Sequence, residues 1–280
     1  MNLNILPKTA VPDWVQHLLR TYRLIGPKRS GICSVSHTLT SIQAIEQGLG
    51  IKFSLQTRLL RELCYYGEML DAHIFHIYML VAPALLGATS ILPLAKRAPE
   101  VVRQALQMKK VAGEICASVA GRHTHPISMT VGDFTYFPTH HKLRDLARQM
   151  DTMDDHLQAT IELFQHLDLP KFERATQYIS LHDENGYAWS REKITNLDGK
   201  SWPIFQYPQV CNENVSAHSS AAKYSNHNNH HYMIQNGCVS EAHCVIPTAQ
   251  NLANIESDMR SLKPTLLFTQ AIKSNNRSKC

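Results

Sequence analysis

Cys33 and His37 stand four residues apart in the segment 31–41, GICSVSHTLTS, where a helix is expected to begin. A thiol just ahead of a helix is favoured as a thiolate, because unpaired backbone N–H groups and the helix dipole stabilise negative charge there. A thiolate is both a nucleophile and a soft metal ligand, and an imidazole one turn later could hydrogen-bond the sulfur. A structural role, a metal ligand and a nucleophile with its base therefore stay open, although no flanking pattern supports the last.

Histidines elsewhere form two weaker clusters. His73 and His76 lie one turn apart beside Glu68 and Asp71 on a predicted helix, and polar packing is favoured there over a metal site. A second group, within residues 218–231, could bind a divalent metal, but a solvated polar loop is the favoured interpretation. Cys64, Cys116 and Cys211 are interpreted as small packing residues.

The composition is that of a folded globular protein. Among 280 residues, 44% are hydrophobic and 18% charged, and the formal charge of +5 is spread along the chain, which argues against a nucleic-acid binder. Seven cysteines, an odd number, favour a reducing compartment over a disulfide framework. With no signal peptide evident and no apolar run long enough to span a bilayer, we expect a cytoplasmic protein.

Two helices are predicted in the first third of the chain, from apolar residues at three- and four-residue spacing. The first opens near Ser34 and closes at Gly50, and the second is capped by Ser54 and ended by Pro83. The apolar face of the second is predicted to contain Leu55, Leu59, Leu63, Leu70, Ile74, Ile77 and Val81.

Three further helices are predicted downstream. One runs from Pro99 to Gly121, and one begins after Thr139 and continues for six turns to Phe164. A last helix follows Thr248.

The remaining segments are predicted as short strands and loops. A strand is expected at 128–131 and several strand-like pieces at 177–203, whereas the polar segment 212–236 is expected to be loop. The fold class is therefore mainly α (α+β), a bundle of long helices with a small β appendage.

Three segments of the chain resemble motifs of nickel-iron hydrogenase large subunits, in the cytoplasmic multi-subunit branch. Residues 29–37, RSGICSVSH, resemble the family's first metal-binding motif, R-x-C-G-x-C-x-x-x-H. Residues 121–126, GRHTHP, resemble its G-R-x-x-H-P loop, and 244–254, CVIPTAQNLAN, resemble a segment beside the iron's diatomic ligands. Similarity covers roughly 29–262, which leaves 1–28 as an irregular N-terminal segment and 263–280 as a frayed tail.

The resemblance implies heterolytic H2 chemistry at a Ni-Fe centre, with four thiolates on nickel and with cyanide and carbon monoxide on iron. Cys33 matches the cysteine that bridges the two metals, and His37 matches the histidine that supports its sulfur. Arg122 and His125 would stand near the buried site.

The same resemblance implies a role for the C-terminal region and a set of partners. Pro247 and Thr248 match positions whose backbone or hydroxyl could hydrogen-bond a cyanide. Electrons would pass to an iron-sulfur small subunit, with flavin or nicotinamide subunits as further partners.

The sequence departs from the family pattern at the metal ligands. Ser30 stands where the first cysteine of the first motif is expected, and the family's D-P-C-x-x-C motif is missing, since Cys280 lacks that context. We therefore expect a shortened, internally deleted relative that is inactive alone and marginally stable. The alternative function is a non-catalytic scaffold, pseudoenzyme or remnant that binds partner subunits without metal.

Overall fold

The computed structural model describes residues 31–167, 169, 171–176, 178–184, 188, 193–206, 210, 223–224, 229–235, 238–245, 254–255, 257–259 and 261. Two compact units divide the chain. The first comprises Met1–Leu169 with His230–His243, and the second comprises Pro170–Asn229 with Cys244–Cys280. The helix-rich architecture with small sheets confirms the predicted fold class.

Helix α1, Ser34–Leu49, opens the described part of the first unit and confirms the first predicted helix. It ends at Gly50, whose φ of 64° is the left-handed conformation that a glycine adopts at low cost. Its predicted apolar stripe is buried, with Leu39, Ile42 and Ile45 at most 3% exposed.

Helix α2, Leu55–Phe75, begins at Ser54, whose side chain accepts a hydrogen bond from the Thr57 N–H, as predicted. The prediction that Pro83 ends this helix is wrong. The chain continues through a π-helical turn, His76–Val81, into the short helix α3, Ala82–Leu85. The wider turn immediately before the proline changes the hydrogen-bond register there, so the missing proline N–H does not stop the helix.

The predicted apolar face of α2 is wrong at its N-terminal end. Leu55 and Leu59 are 66% and 53% exposed, while Leu60 and Cys64 are buried. The face is turned because α2 buries polar side chains that bind neighbouring elements, and these replace apolar residues in its inward register.

Helix α4, Ile91–Arg97, was not expected from the sequence, whereas α5, Pro99–Ala120, confirms the third predicted helix. The closest helix packing joins α2 to α5, where a Cβ on Gly67 would lie only 2.8 Å from the Ile115 Cγ2 atom. A side chain at position 67 would therefore push these helices apart. The core beside them consists of Ile74, Tyr78, Ala105, Met108, Val111, Ala112 and Met153.

The long helix predicted from Thr139 to Phe164 is divided into α6, His140–Asp151, and α7, Asp154–Gln165. The break lies at Thr152, whose hydroxyl donates to the Gln149 carbonyl. Met153 is 2% exposed and belongs to the core. Burying Met153 redirects the chain, although the apolar spacing in sequence is uninterrupted.

A small hairpin in the first unit pairs β1, Met129–Thr130, with β2, Asp133–Phe134, around Gly132. It confirms the strand expected at 128–131. None of the helices in the described part of the chain is long and apolar enough to cross a membrane.

The second unit contains a sheet in the order β5-β4-β3-β6. Strand β3, Tyr178–His182, is antiparallel to β4, Lys193–Asn196, which is antiparallel to β5, Ser201–Pro203. These strands confirm the strand-like pieces expected at 177–203. A short 3-10 helix, Ile204–Gln206, follows β5.

The segment 212–236 is not all loop, which corrects the prediction. It contains β6, Lys223–Tyr224, parallel to β3, and β7, Asn229–Gln235, which pairs with β8, Cys238–Val245. Backbone pairing with neighbouring strands imposes extended structure that a polar composition does not announce. Residues 254–255, 257–259 and 261 are helical, where the last helix was predicted.

Candidate metal centre

Cys33 is the residue that precedes the first turn of α1. It is a half-buried free cysteine whose backbone φ and ψ are −117° and 38°, and its side chain does not cap the helix. Its carbonyl accepts the first helical hydrogen bond, from the His37 N–H at 3.1 Å. The thiol therefore lies at the helix start, as the sequence predicted.

The backbone N–H groups at this helix start are capped by Glu68 of α2. One carboxylate oxygen accepts from the Val35 N–H at 2.5 Å. The other accepts from the Ser36 N–H at 2.8 Å and from the Ser36 hydroxyl at 2.6 Å. The expectation that unpaired N–H groups here favour a Cys33 thiolate is therefore wrong for these two groups, because a carboxylate from another helix already binds them.

Burial dominates the electrostatics of Glu68. Desolvation of this side chain, which is 5% exposed, raises its pKa to about 7, although the hydrogen bonds from Ser36 and Val35 act in the opposite direction. The Ser36 hydroxyl can either donate to the carboxylate or accept from a protonated carboxyl. The contact can therefore persist in both protonation states.

His37 lies one turn into α1 and is 4% exposed. Burial lowers the pKa of its imidazole, because desolvation disfavours the charged ring. A neutral ring is the form that can support a neighbouring sulfur or metal ligand. Its hydrogen bond to the Cys33 sulfur stays a prediction.

The loop 121–126 lies against the same helix start. The His125 N–H donates to the Ser34 hydroxyl oxygen at 2.9 Å, and Ser34 is 1% exposed. His125 has a φ of 61°, a left-handed conformation that is unusual for a residue with a side chain. Two sequence motifs about ninety residues apart are thereby joined through one hydrogen bond beside Cys33.

Both ends of this loop are fixed to the C terminus of α5. Gly121 follows the helix with a φ of 76°, and the Ile127 N–H returns to donate to the Ala120 carbonyl at 2.9 Å. The Ser128 hydroxyl donates to the Val119 carbonyl at 2.6 Å. The loop is therefore a closed turn that presents His125 to α1.

Arg122 differs from the expectation of a residue beside a buried site. Its side chain is exposed, because the left-handed turn at Gly121 directs the chain away from the helix. The structure thus brings Cys33, His37 and His125 to the start of α1, with Arg122 at the surface of the adjoining loop. Pro247 and Thr248, like Ser30 and Cys280, lie outside the described residues.

The described side chains do not make a complete metal centre. No group of three or more His, Cys, Asp or Glu side chains among them could hold a metal ion. Cys64 and Cys116 are buried between α2 and α5, where burial and the neighbouring thiol raise the pKa of Cys64 well above its ordinary value. These thiols confirm the packing role predicted for them, and Cys33 is the one half-buried thiol among the cysteine side chains that the structure describes. A four-thiolate nickel site would need ligands beyond these residues.

The sequence reasoning missed the structural roles of Ser34 and Glu68. Glu68 had a detectable signal, since it continues the inward register of Leu60 and Cys64 at four-residue spacing along α2. Ser34 had none, because its acceptor role depends on a loop distant in sequence.

Comparison with known proteins gives concordant results. Residues 22–103 match the family model for nickel-dependent hydrogenase. The chain is 30% identical over 122 residues to the alpha subunit of sulfhydrogenase 2 of Pyrococcus furiosus, which covers 44% of this chain and 30% of the relative. It is 28% identical over 204 residues to the vhu F420-non-reducing hydrogenase of Methanocaldococcus jannaschii, covering 67% of this chain and 49% of the matched relative.

The fold resembles that of a solved NAD+-reducing NiFe-hydrogenase in the H2-reduced state. The TM-score is 0.56 at 22% identity, over 72% of this chain and 48% of that chain. In each of these comparisons the chain spans less than half the length of the relative.

Proposed function

Because this chain belongs to the nickel-dependent hydrogenase family, we propose that it functions within the alpha (large) subunit of a nickel-iron hydrogenase. The reaction is oxidation of H2 or reduction of protons. A Ni-Fe centre, when bound, supplies the heterolytic cleavage of H2. The proposal covers the activity of the whole protein, of which this chain matches a part.

One observation carries the proposal: the Ser34–His125 hydrogen bond, which holds the loop 121–126 against the helix start that bears Cys33. The two segments are those that resemble separate metal-site motifs of the family, and they meet here although α2 and α5 intervene between them in sequence. Their contact supports a common role at one centre.

Within this proposal each residue has a stated task. Cys33 donates its thiolate to nickel, and the buried neutral His37 supports that sulfur. His125 lies beside the centre, and Arg122 supplies a positive charge on the loop. Pro247 and Thr248 are proposed to hydrogen-bond a diatomic ligand of the iron, which we take to be cyanide.

Further thiolates are required for the reaction, since the described side chains contribute Cys33 alone to this helix start. The 280-residue chain is therefore proposed to be inactive by itself. It is proposed to work in the cytoplasm with an iron-sulfur small subunit, and flavin or nicotinamide subunits would take the electrons onward.

Coexpression with the small subunit tests the assignment. We expect the wild-type chain to be retained by a tagged small subunit, and nickel in the complex to fall when Cys33 is replaced by serine. Cys116→Ser is the matched control, because that thiol is buried between helices. Failure of the chain to bind the small subunit, or nickel content unchanged by Cys33→Ser, would contradict the proposal.

A further inference from the structure

Glu68 is unusual among the acidic residues of the described helices because it reaches out of its own helix to bind another helix's backbone. Its carboxylate binds two consecutive N–H groups and one hydroxyl of α1 at 2.5, 2.8 and 2.6 Å. It is 5% exposed. By contrast, Glu62 on the same helix makes a surface ion pair with Arg58.

The groups that Glu68 binds lie two and three residues after Cys33. Each orphan N–H group in a first turn needs an acceptor, and a residue at the Cys33 position normally supplies it with its own side chain. Cys33 supplies no such bond. The first turn of α1, and with it the direction of the Cys33 side chain, is therefore held by an acceptor from α2.

We propose that Glu68 is a positioning residue for Cys33: its carboxylate, bound to the Val35 and Ser36 N–H groups, fixes the first turn of α1 and so sets the direction of the thiol. The inference rests on the proposed function, because the direction of this thiol matters if Cys33 is a metal ligand. Glu68 makes no contact with metal or substrate in this assignment.

Glu68 also frees the Cys33 side chain from the capping role. A serine or aspartate at a helix start is bound by the N–H groups that it caps, which fixes its side chain back over the helix. Here those N–H groups are occupied from α2, and the Cys33 thiol can point elsewhere. The Ser34 hydroxyl, one residue later, holds the loop 121–126 at 2.9 Å from the other side.

The test reads the order of the Cys33 side chain in the full chain without metal. Cys211, Cys238, Cys244 and Cys280 are replaced by serine, and Cys33 is labelled with a trifluoromethyl group for 19F NMR. Peptide-level amide exchange over residues 34–37 is measured in parallel. The parent is expected to give one narrow 19F signal and slow exchange.

Glu68→Ala is expected to broaden or split the 19F signal and to accelerate exchange over 34–37 about tenfold or more, as loss of these hydrogen bonds implies. The cavity left behind faces two free N–H groups at a helix start, which bind small anions. Acetate is therefore expected to restore the narrow signal, whereas acetamide at the same concentration is not. Glu68→Gln, which keeps the volume and one acceptor, is expected to be intermediate and serves if Glu68→Ala does not fold.

Two controls separate positioning from general stability. Glu62→Gln removes a carboxylate from the same helix, and Ile74→Val loosens the core, where Ile74 is 3% exposed. Both are expected to leave the Cys33 signal narrow. The assignment is overturned if the Glu68 variants give the parent signal and exchange, or if Ile74→Val changes the signal as they do. Either result leaves the proposed function standing, since no metal or partner enters the measurement.

Discussion

At the scale of single residues, the helix start at Cys33 is defined by side chains that sequence patterns do not pair. Cys33 and His37 were recognisable because their spacing matches one helical turn. Glu68 and Ser34 were not assigned roles, because the first acts from another helix and the second binds a loop. Residue types and local spacing therefore predicted the candidate ligand but not the groups that hold it in place.

The first residue-scale prediction concerns Glu68 and pH. Its pKa is about 7 in the folded chain and 4.5 as an ordinary carboxyl, so the folded state binds the proton more tightly. Its contribution to the free energy of unfolding is therefore complete below about pH 4.5 and is lost as pH rises to about 7, by about 3 kcal/mol. In Glu68→Gln, denaturant unfolding between these pH values is expected to lack this loss.

The exposed Glu100 provides the control for that experiment. It forms a surface ion pair with Arg103, so Glu100→Gln is expected to keep the wild-type pH dependence. His37 acts in the opposite direction: its lowered pKa makes the folded state lose stability as pH falls below the ordinary 6.5. Since both variants retain His37, the difference between them isolates Glu68. Parallel pH curves for Glu68→Gln and wild type would refute the assignment of a charge buried at a cost.

The second residue-scale prediction concerns Ser34. Ser34→Ala removes the acceptor for the His125 N–H and is expected to lower the free energy of unfolding by about 1–3 kcal/mol. Ser118→Ala is the matched control, because the Ser118 hydroxyl donates only to a carbonyl of its own helix and costs less to remove. Equal losses in the two variants, measured by urea unfolding, would show that the loop contact contributes nothing special.

At the scale of elements, spacing predicted helices well where the inward face is apolar. Helices α1 and α5 have the predicted bounds because aliphatic stripes and glycine stops agree with each other. The break between α6 and α7 could not be predicted, since Thr152 and Met153 fit the helical rhythm and only tertiary burial of Met153 interrupts it. The continuation through Pro83 depends on a π turn that has no sequence signal of its own.

A buried ion pair joins three elements and gives the element-scale prediction. Arg61 of α2 binds Glu46 of α1 through two hydrogen bonds at 2.9 and 2.6 Å and donates to the Thr130 carbonyl of β1. Glu46 also accepts from the Gly132 N–H at 2.6 Å. Arg61→Met leaves the Glu46 charge buried without its cation, so a loss of about 3–5 kcal/mol is expected.

Arg58→Met on the same helix is the control, because its pair with Glu62 is at the surface and is worth about 0–1 kcal/mol. Replacing both buried partners, Arg61→Met with Glu46→Leu, is expected to recover a large part of the loss, since no uncompensated charge remains. Guanidinium unfolding measures all three variants. A loss for Arg61→Met no greater than that for Arg58→Met would contradict the role given to this pair.

At the scale of the whole molecule, the chain matches less than half of its relatives and its described side chains bring one half-buried thiol to the candidate centre. The sequence predicted the family and the helix-rich fold, because several motifs occur in order. It could not predict the β7–β8 pairing within a polar segment, where backbone partners outweigh composition. The additional sulfur donors that a nickel centre needs are a property of the complete enzyme.

This ligand shortage gives the whole-molecule prediction. The purified 280-residue chain is expected to show no H2-dependent dye reduction and to contain well under one nickel per chain. A thiolate cage with most donors missing does not retain nickel against solvent. Elemental analysis and a dye assay under H2 check both statements. Sustained H2 uptake by the chain alone would contradict them.

Titration with Ni(II) tests the central claim, that Cys33 is the metal-binding thiol of this helix start. In a background in which Cys211, Cys238, Cys244 and Cys280 are serine, we predict a weak sulfur-to-nickel charge-transfer band that survives Cys116→Ser and disappears in Cys33→Ser. A band that persists in Cys33→Ser, or no band at all in the parent, would contradict the account.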